Sequence, residues 1–191
     1  MLLCSCIASH RDSVHFIHAI GITEGKDGEF QLVAVAEKQG TKDGDGKYFT
    51  ADAKGKTVGG AIEEMNKKYS GCYFASCEIF VIPCDADMDF TSEISVICEN
   101  ALMPSTAFLV CADKSDLPNI FDKVKDEDDI TKLISKAKKH SPVFVRFVSD
   151  RLSKKDVTVP VICADGDGKI SLSRHAVFSD SSVTHRKEKS L

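Results

Sequence analysis

Asp165-Gly166-Asp167-Gly168-Lys169-Ile170 sets two carboxylates around glycines at the spacing with which an EF-hand loop wraps Ca²⁺. In that register Cys163 would take the first ligand position and Arg174 the twelfth, where a bidentate glutamate is needed. Asp43-Gly44-Asp45-Gly46 echoes it with Thr41 first and Asp52 last. Strand-like runs rather than paired helices flank both, so they read as a hairpin turn and a solvated loop. Gly55-Lys56-Thr57 resembles the end of a phosphate-binding GxxxxGK[ST] loop, but the upstream glycine would fall at Thr50, and a loop leading to a helix N-cap explains it without phosphate. His15 and His18 flank Phe16 and Ile17 on a strand, where alternation turns their side chains to different sides and away from a shared metal. No GxSxG nucleophile motif, CxxC pair or zinc-finger histidine spacing appears. No catalytic, cofactor-binding or metal-binding residue is expected.

Bulk properties narrow the function further. The chain has 191 residues, 42% of them hydrophobic, enough to bury a core but short for two full domains. Its formal charge of -4, with 25 basic residues scattered among 29 acids, offers no field for gathering phosphates, which excludes nucleic acid as the expected partner. Several of the eight cysteines, such as Cys98 after Ser95-Val96-Ile97, lie in apolar runs and are expected to be buried, reduced thiols. No window reaches the roughly 18 to 20 apolar residues of a membrane-spanning helix. Met1-Leu2-Leu3-Cys4-Ser5-Cys6 looks like the tail of an export signal, with Leu3, Ser5 and Cys6 at the −3, −1 and +1 positions of a bacterial lipobox. An ordinary cytosolic start fits these residues equally well.

The elements follow from periodicity. Val14 to Thr23 and Phe30 to Ala36 are β-prone and separated by Glu24-Gly25-Lys26-Asp27-Gly28, which predicts a hairpin, and Tyr48 to Ala53 predicts a third strand. Val58, Ala61, Ile62, Met65 and Tyr69 fall on one helical face after Thr57. Glu78 to Ile82 and Thr106 to Ala112 read as buried strands, with a helix capped by Asp89 or Thr91 between them, so a βαβ crossover and a partly parallel sheet are expected. Helices are expected over Ser115 to Val124, Asp128 to Lys139 and Pro142 to Leu152, then strands over Val157 to Cys163 and Lys169 to Phe178. The fold class is α/β (α+β): a mixed β-sheet packed by amphipathic helices, with the start of a second small β-containing domain. The expected divisions are 1–9 (residual signal and lipobox), 10–140 (N-terminal α/β domain), 141–180 (helix and β-hairpin opening a second domain) and 181–191 (disordered tail).

In order, the chain carries Ala19-Ile20-Gly21-Ile22-Thr23, Gly55-Lys56-Thr57-Val58, Phe74 to Ile82 and Ser105-Thr106-Ala107-Phe108-Leu109-Val110. Val145-Arg146-Phe147-Val148-Ser149-Asp150-Arg151-Leu152, Asp156 to Ile162 with Pro160, and Ala176-Val177-Phe178 follow. That succession resembles the Ger(x)C family of spore germination lipoproteins, the C subunits of nutrient germinant receptors, over roughly residues 6 to 180 and as a shortened relative. Cys77 stands where the family frequently has histidine. The resemblance implies a lipid anchor such as a diacylglyceryl group or palmitate on Cys6, a place on the outer face of the spore inner membrane, and assembly with integral-membrane receptor subunits. It implies no catalysis. The alternatives are a cytosolic small-ligand-binding or protein-interaction domain, and a small enzyme using converging carboxylates.

Overall fold

The computed structural model describes residues 14–38, 47–69, 71–86, 90, 103–124, 126–164, 170–179 and 183–186. Nine strands form one mixed sheet: β1 (His15–Glu24), β2 (Phe30–Lys38), β3 (Tyr48–Gly55), β4 (Cys72–Tyr73), β5 (Ile79–Pro83), β6 (Phe108–Ala112), β7 (Val157–Ala164), β8 (Ile170–Phe178) and β9 (Val183–Arg186). The order is β3-β2-β1-β5-β6-β7-β8-β9, and β4 pairs with the start of β1. β1, β5, β6 and β7 run parallel through the centre, while β2–β3 and β8–β9 extend the two sides antiparallel. The β1–β2 connection turns at Asp27 and Gly28, both at φ +71°, a left-handed conformation that suits Gly and is tolerated by Asp.

Four helices cover the sheet among the described residues: α1 (Val58–Tyr69), α2 (Leu117–Phe121), α3 (Glu127–His140) and α4 (Phe144–Leu152). Thr57 Oγ1 accepts the Gly60 N–H at 3.0 Å, so the predicted cap is in place. Gly55 is required there because a Cβ would stand 2.3 Å from the Ala61 nitrogen, where β3 turns into α1. For α3 the cap is Asp126, whose carboxylate accepts from Asp129 N at 2.9 Å, with Glu127, Asp128 and Asp129 in the first turn and Lys138, Lys139 and His140 in the last.

Alternation along the strands sends residues to two cores. Ile17, Ile20, Leu32, Phe80 and Leu109 pack with Ile62 and Met65 of α1 and Phe144 and Phe147 of α4. Ala19, Val33, Val81 and Val110 pack with Leu117 and Phe121 of α2 and with Ile130 and Leu133 of α3. A sheet covered on both faces accounts for the unbroken apolar run of β5, all five residues of which are buried. Gly21 serves the second core, since a Cβ there would meet Leu117 Cδ2 at 2.5 Å.

The hairpin, third strand, parallel strands and helix faces lie where periodicity placed them. Residues from 141 onward, expected to open a second domain, add to this same sheet: Cys111 pairs with Val161, and the Phe147 and Phe178 rings meet edge to face at 5.4 Å. Two strands alone are marginal, and docking on β6 joins them to the larger sheet. Within the stretch 181–191, expected to be a disordered tail, Val183–Arg186 is corrected to a strand: it pairs antiparallel with β8 through His175↔Arg186 to Phe178↔Val183, and the rest of that stretch lies outside the described residues. Polar composition hid this strand, whose backbone finds its partners on an edge. The lipobox region, the turns at 43–46 and 165–168 and the helix expected over 91–102 lie outside the described residues.

Candidate functional site: the carboxyl-end rim and the paired charges beside it

β1, β5 and β6 end at the same rim of the sheet, where open α/β sheets generally hold their ligands. A cavity of about 400 Å³ opens there against the β1–β2 turn, lined by Glu24, Asp27, Glu29, Lys54 and Lys114 with Phe30 as its apolar wall. Lys114 follows β6 and reaches Glu24 Oε2 at 3.8 Å and Asp85 Oδ2 at 3.4 Å. Next to it Asp113 pairs with Arg174 of β8. The rim is thus a set of interleaved opposite charges, with the carboxylates of Glu24 and Asp85 more than half exposed. Such groups can recognise a charged or zwitterionic surface, but a general acid or base needs a dry site and convergence on one reacting atom, which this open rim lacks.

His15 and His18, the histidines of β1, are on opposite faces, as the alternation required. The His15 ring meets Phe49 edge-on at 5.1 Å beside α1, and its buried Nδ1 has no hydrogen-bond partner. Burial, aided by the Lys38 charge, lowers its pKa below 6.5. His18 Nε2 lies 2.8 Å from Glu37 Oε2 on the α3 side, and Lys47 Nζ holds Glu37 Oε1 at 3.0 Å and Glu127 Oε2 at 3.7 Å. Burial pushes the Glu37 carboxyl up, but the hydrogen bonds and charges of His18 and Lys47 outweigh it and leave its pKa below the ordinary value. This network ties β1, β2 and the start of β3 to α3. The residues of each ion pair are engaged with one another and none converges on a nucleophile.

Of the five described cysteines three are buried as expected and two, Cys72 and Cys163, are half-buried, while Cys98 lies outside the described residues. Cys77, Cys84 and Cys111 are free and buried. Burial pushes Cys77 up to about 12 and Cys72 up to about 11. Cys111 is also raised, by burial first and then by its hydrogen bond with the Cys84 thiol. Thiolate is the nucleophilic and metal-binding form, so these positions are chemically quiet. Among the described residues no group of three or more His, Cys, Asp or Glu side chains could hold a metal, and no helix is long and apolar enough to cross a membrane. Cys6 lies outside the described residues.

Glu37, Lys47, Lys114 and Arg151 were not singled out from sequence. The first three belong to contacts between segments distant in the chain, which spacing does not reveal. Arg151 had a legible signal: it continues the stripe of Phe144 and Phe147 at spacings of three and four, so an arginine occupies a core-facing helix position. Comparison with known protein families, curated proteins and solved structures finds no match to this chain.

Proposed function

We propose that the protein is a non-catalytic, membrane-anchored accessory subunit of a spore nutrient germinant receptor, held at the outer face of the spore inner membrane by a lipid on Cys6. It acts by docking to integral-membrane receptor subunits. The observation that carries this reading is where the segments of the resemblance fall. Ala19 to Thr23 lies in β1, Gly55 to Val58 at the β3–α1 junction, Ser105 to Val110 on the entry to β6, Val145 to Leu152 in α4, and Ala176 to Phe178 in β8. These segments lie within or at the ends of regular elements of one sheet and its covering helices, which supports reading them together. The quiet thiols and mutually paired charges agree with a docking role.

A lipid chain contributes about 0.8 kcal/mol per buried CH₂, so two chains on Cys6 would hold the protein on the bilayer. The test is fractionation of spores expressing the gene with its native upstream region, with mass spectrometry of the peptide containing Cys6. A lipid-modified Cys6 in the inner-membrane fraction, lost to the soluble fraction in Cys6→Ala, is the expected result. An unmodified N-terminus in the cytosol refutes it and leaves the second reading, a small-ligand-binding domain. That reading is favoured by the charged cavity at the carboxyl ends of the parallel strands.

A further inference from the structure

Val14 and Tyr73 are exposed by 43% and 50%, two of the four large hydrophobics exposed among the described residues. The sheet brings them together at the amino end of β1. β4 runs parallel to β1 in the register His15↔Cys72 and Phe16↔Tyr73, so Tyr73 stands beside Phe16 on one face, and their rings meet edge to face at 5.5 Å. Val14 precedes Phe16 by two residues and continues the same side of the strand, while the His15 ring turns to Phe49 on the other. Phe16 is itself only half-buried, so two rings and a valine share one apolar patch. On β2 the patch is bordered by Glu37, opposite Phe16, whose carboxylate is held by His18 and Lys47. That border is charge-paired, so attraction to the patch comes from its apolar surface rather than from a field.

The occupant follows from the chain that leads to the patch. Cys6 and Val14 are eight positions apart, and even fully extended that stretch spans no more than about 29 Å. A lipid on Cys6 therefore tethers this end of the sheet close to the bilayer surface. Tyrosine, with an apolar ring and a polar tip, suits the headgroup layer. We propose that Val14, Phe16 and Tyr73 are a membrane-contact face, which seats the amino end of β1 in the headgroup layer of the bilayer. The inference rests on the lipid-anchor reading for the choice of a bilayer as occupant.

The chain has no tryptophan, so Tyr73→Trp places a single fluorescent reporter in the patch. The full chain carrying it is prepared with its native upstream region, and again with Cys6→Ala. Each is titrated with phosphatidylcholine vesicles, and mass spectrometry reads the state of Cys6. The indole emission is expected to shift to the blue and to be quenched by brominated acyl chains, at low lipid for the anchored chain and at higher lipid for Cys6→Ala. Adding Val14→Asp should weaken partitioning of the Cys6→Ala chain about tenfold, and salt should have little effect. Leu152→Asp, the same charge change at an exposed position of α4, should leave partitioning unchanged. A lipid-modified Cys6 with an indole that stays water-like and unquenched overturns the proposal and leaves the anchor standing. An unmodified Cys6 with a vesicle-dependent blue shift keeps the contact face and removes the anchor. A shift that needs no vesicles and grows with protein concentration assigns the patch to an interface between copies and overturns the proposal, as does equal weakening by Leu152→Asp.

Discussion

His18 and Glu37 meet at 2.8 Å across the β1–β2 pair, on the face of the sheet opposite to His15, and the irregular register between Ile17 and Ala19 sits beside this contact. Because the folded pKa of Glu37 is depressed, the contact contributes stability that is present above the ordinary value of 4.5 and lost as pH falls through the folded pKa. Glu37→Gln is expected to cost roughly 1 kcal/mol at neutral pH and almost nothing well below the folded pKa. Urea denaturation of both proteins at neutral and acid pH measures it. An equal loss at both would show that the carboxylate charge is not what matters.

His15 titrates in a separate window. Its folded pKa is lowered, so below 6.5 the unfolded chain takes up a proton that the folded chain refuses, and stability falls as pH drops from 6.5 toward the folded value. His15→Phe keeps a ring against Phe49 and removes the titration. Its Tm should vary less than that of the wild type between neutral pH and about pH 5. Parallel curves for the two proteins would assign that slope to other groups.

Two glycines are expected to separate by how their neighbours can move. Gly55→Ala drives a Cβ to 2.3 Å from the Ala61 nitrogen, a backbone atom in the first turns of α1, and should cost about 3 kcal/mol. Gly21→Ala has the Leu117 side chain as its nearest neighbour, with Cδ2 at 2.5 Å and Cγ at 3.0 Å, and a side chain can shift where backbone cannot, so it should cost about 1 kcal/mol. Adding Leu117→Val should recover part of that loss, a positive coupling in a double-mutant cycle. Additive losses would mean that Leu117 is not the obstacle.

The same positions mark what sequence could and could not reveal. Period-two runs and helical stripes placed the strands and helices, because each buried face has to be apolar wherever it packs. Gly55 was visible as part of a loop leading to a cap, but its close approach to Ala61 depends on the angle between β3 and α1. β9 was missed since an edge strand needs only backbone partners, and residues 183–186 lack an apolar alternation. The Lys114 bridges and the Glu37 network depend on strand order, which no local pattern encodes.

Thiol reactivity should divide by burial. Cys77, Cys84 and Cys111 are enclosed, with Cys77 raised to about 12, so an aromatic disulfide reagent at neutral pH should leave all three unmodified in the native chain. Peptide mapping should find them labelled only after addition of denaturant, at a rate set by unfolding. Rapid native labelling of Cys77 would mean that the core around Phe74 and Ile79 opens locally.

β3 ends the sheet, and a bare edge strand invites pairing with another chain. Here α1 covers its middle: Asp52 N donates to Tyr69 Oη at 3.1 Å, and Lys68 Nζ donates to the Asp52 carbonyl at 3.2 Å and to its carboxylate at 2.9 Å. The Lys68 hydrogen bond also lowers the Asp52 pKa, so the cover holds at neutral pH. Lys68→Ala combined with Tyr69→Phe removes the donors and the acceptor but keeps the ring that packs near Phe49 at 5.8 Å. Because exposed pairs contribute less than about 1 kcal/mol, the variant should melt close to the wild type. It should nevertheless scatter light in a concentration-dependent way, as uncovered edges pair between molecules. A variant that stays monomeric at high concentration would show that the edge is protected by its strand charges, Asp52 and Lys54, rather than by the helix.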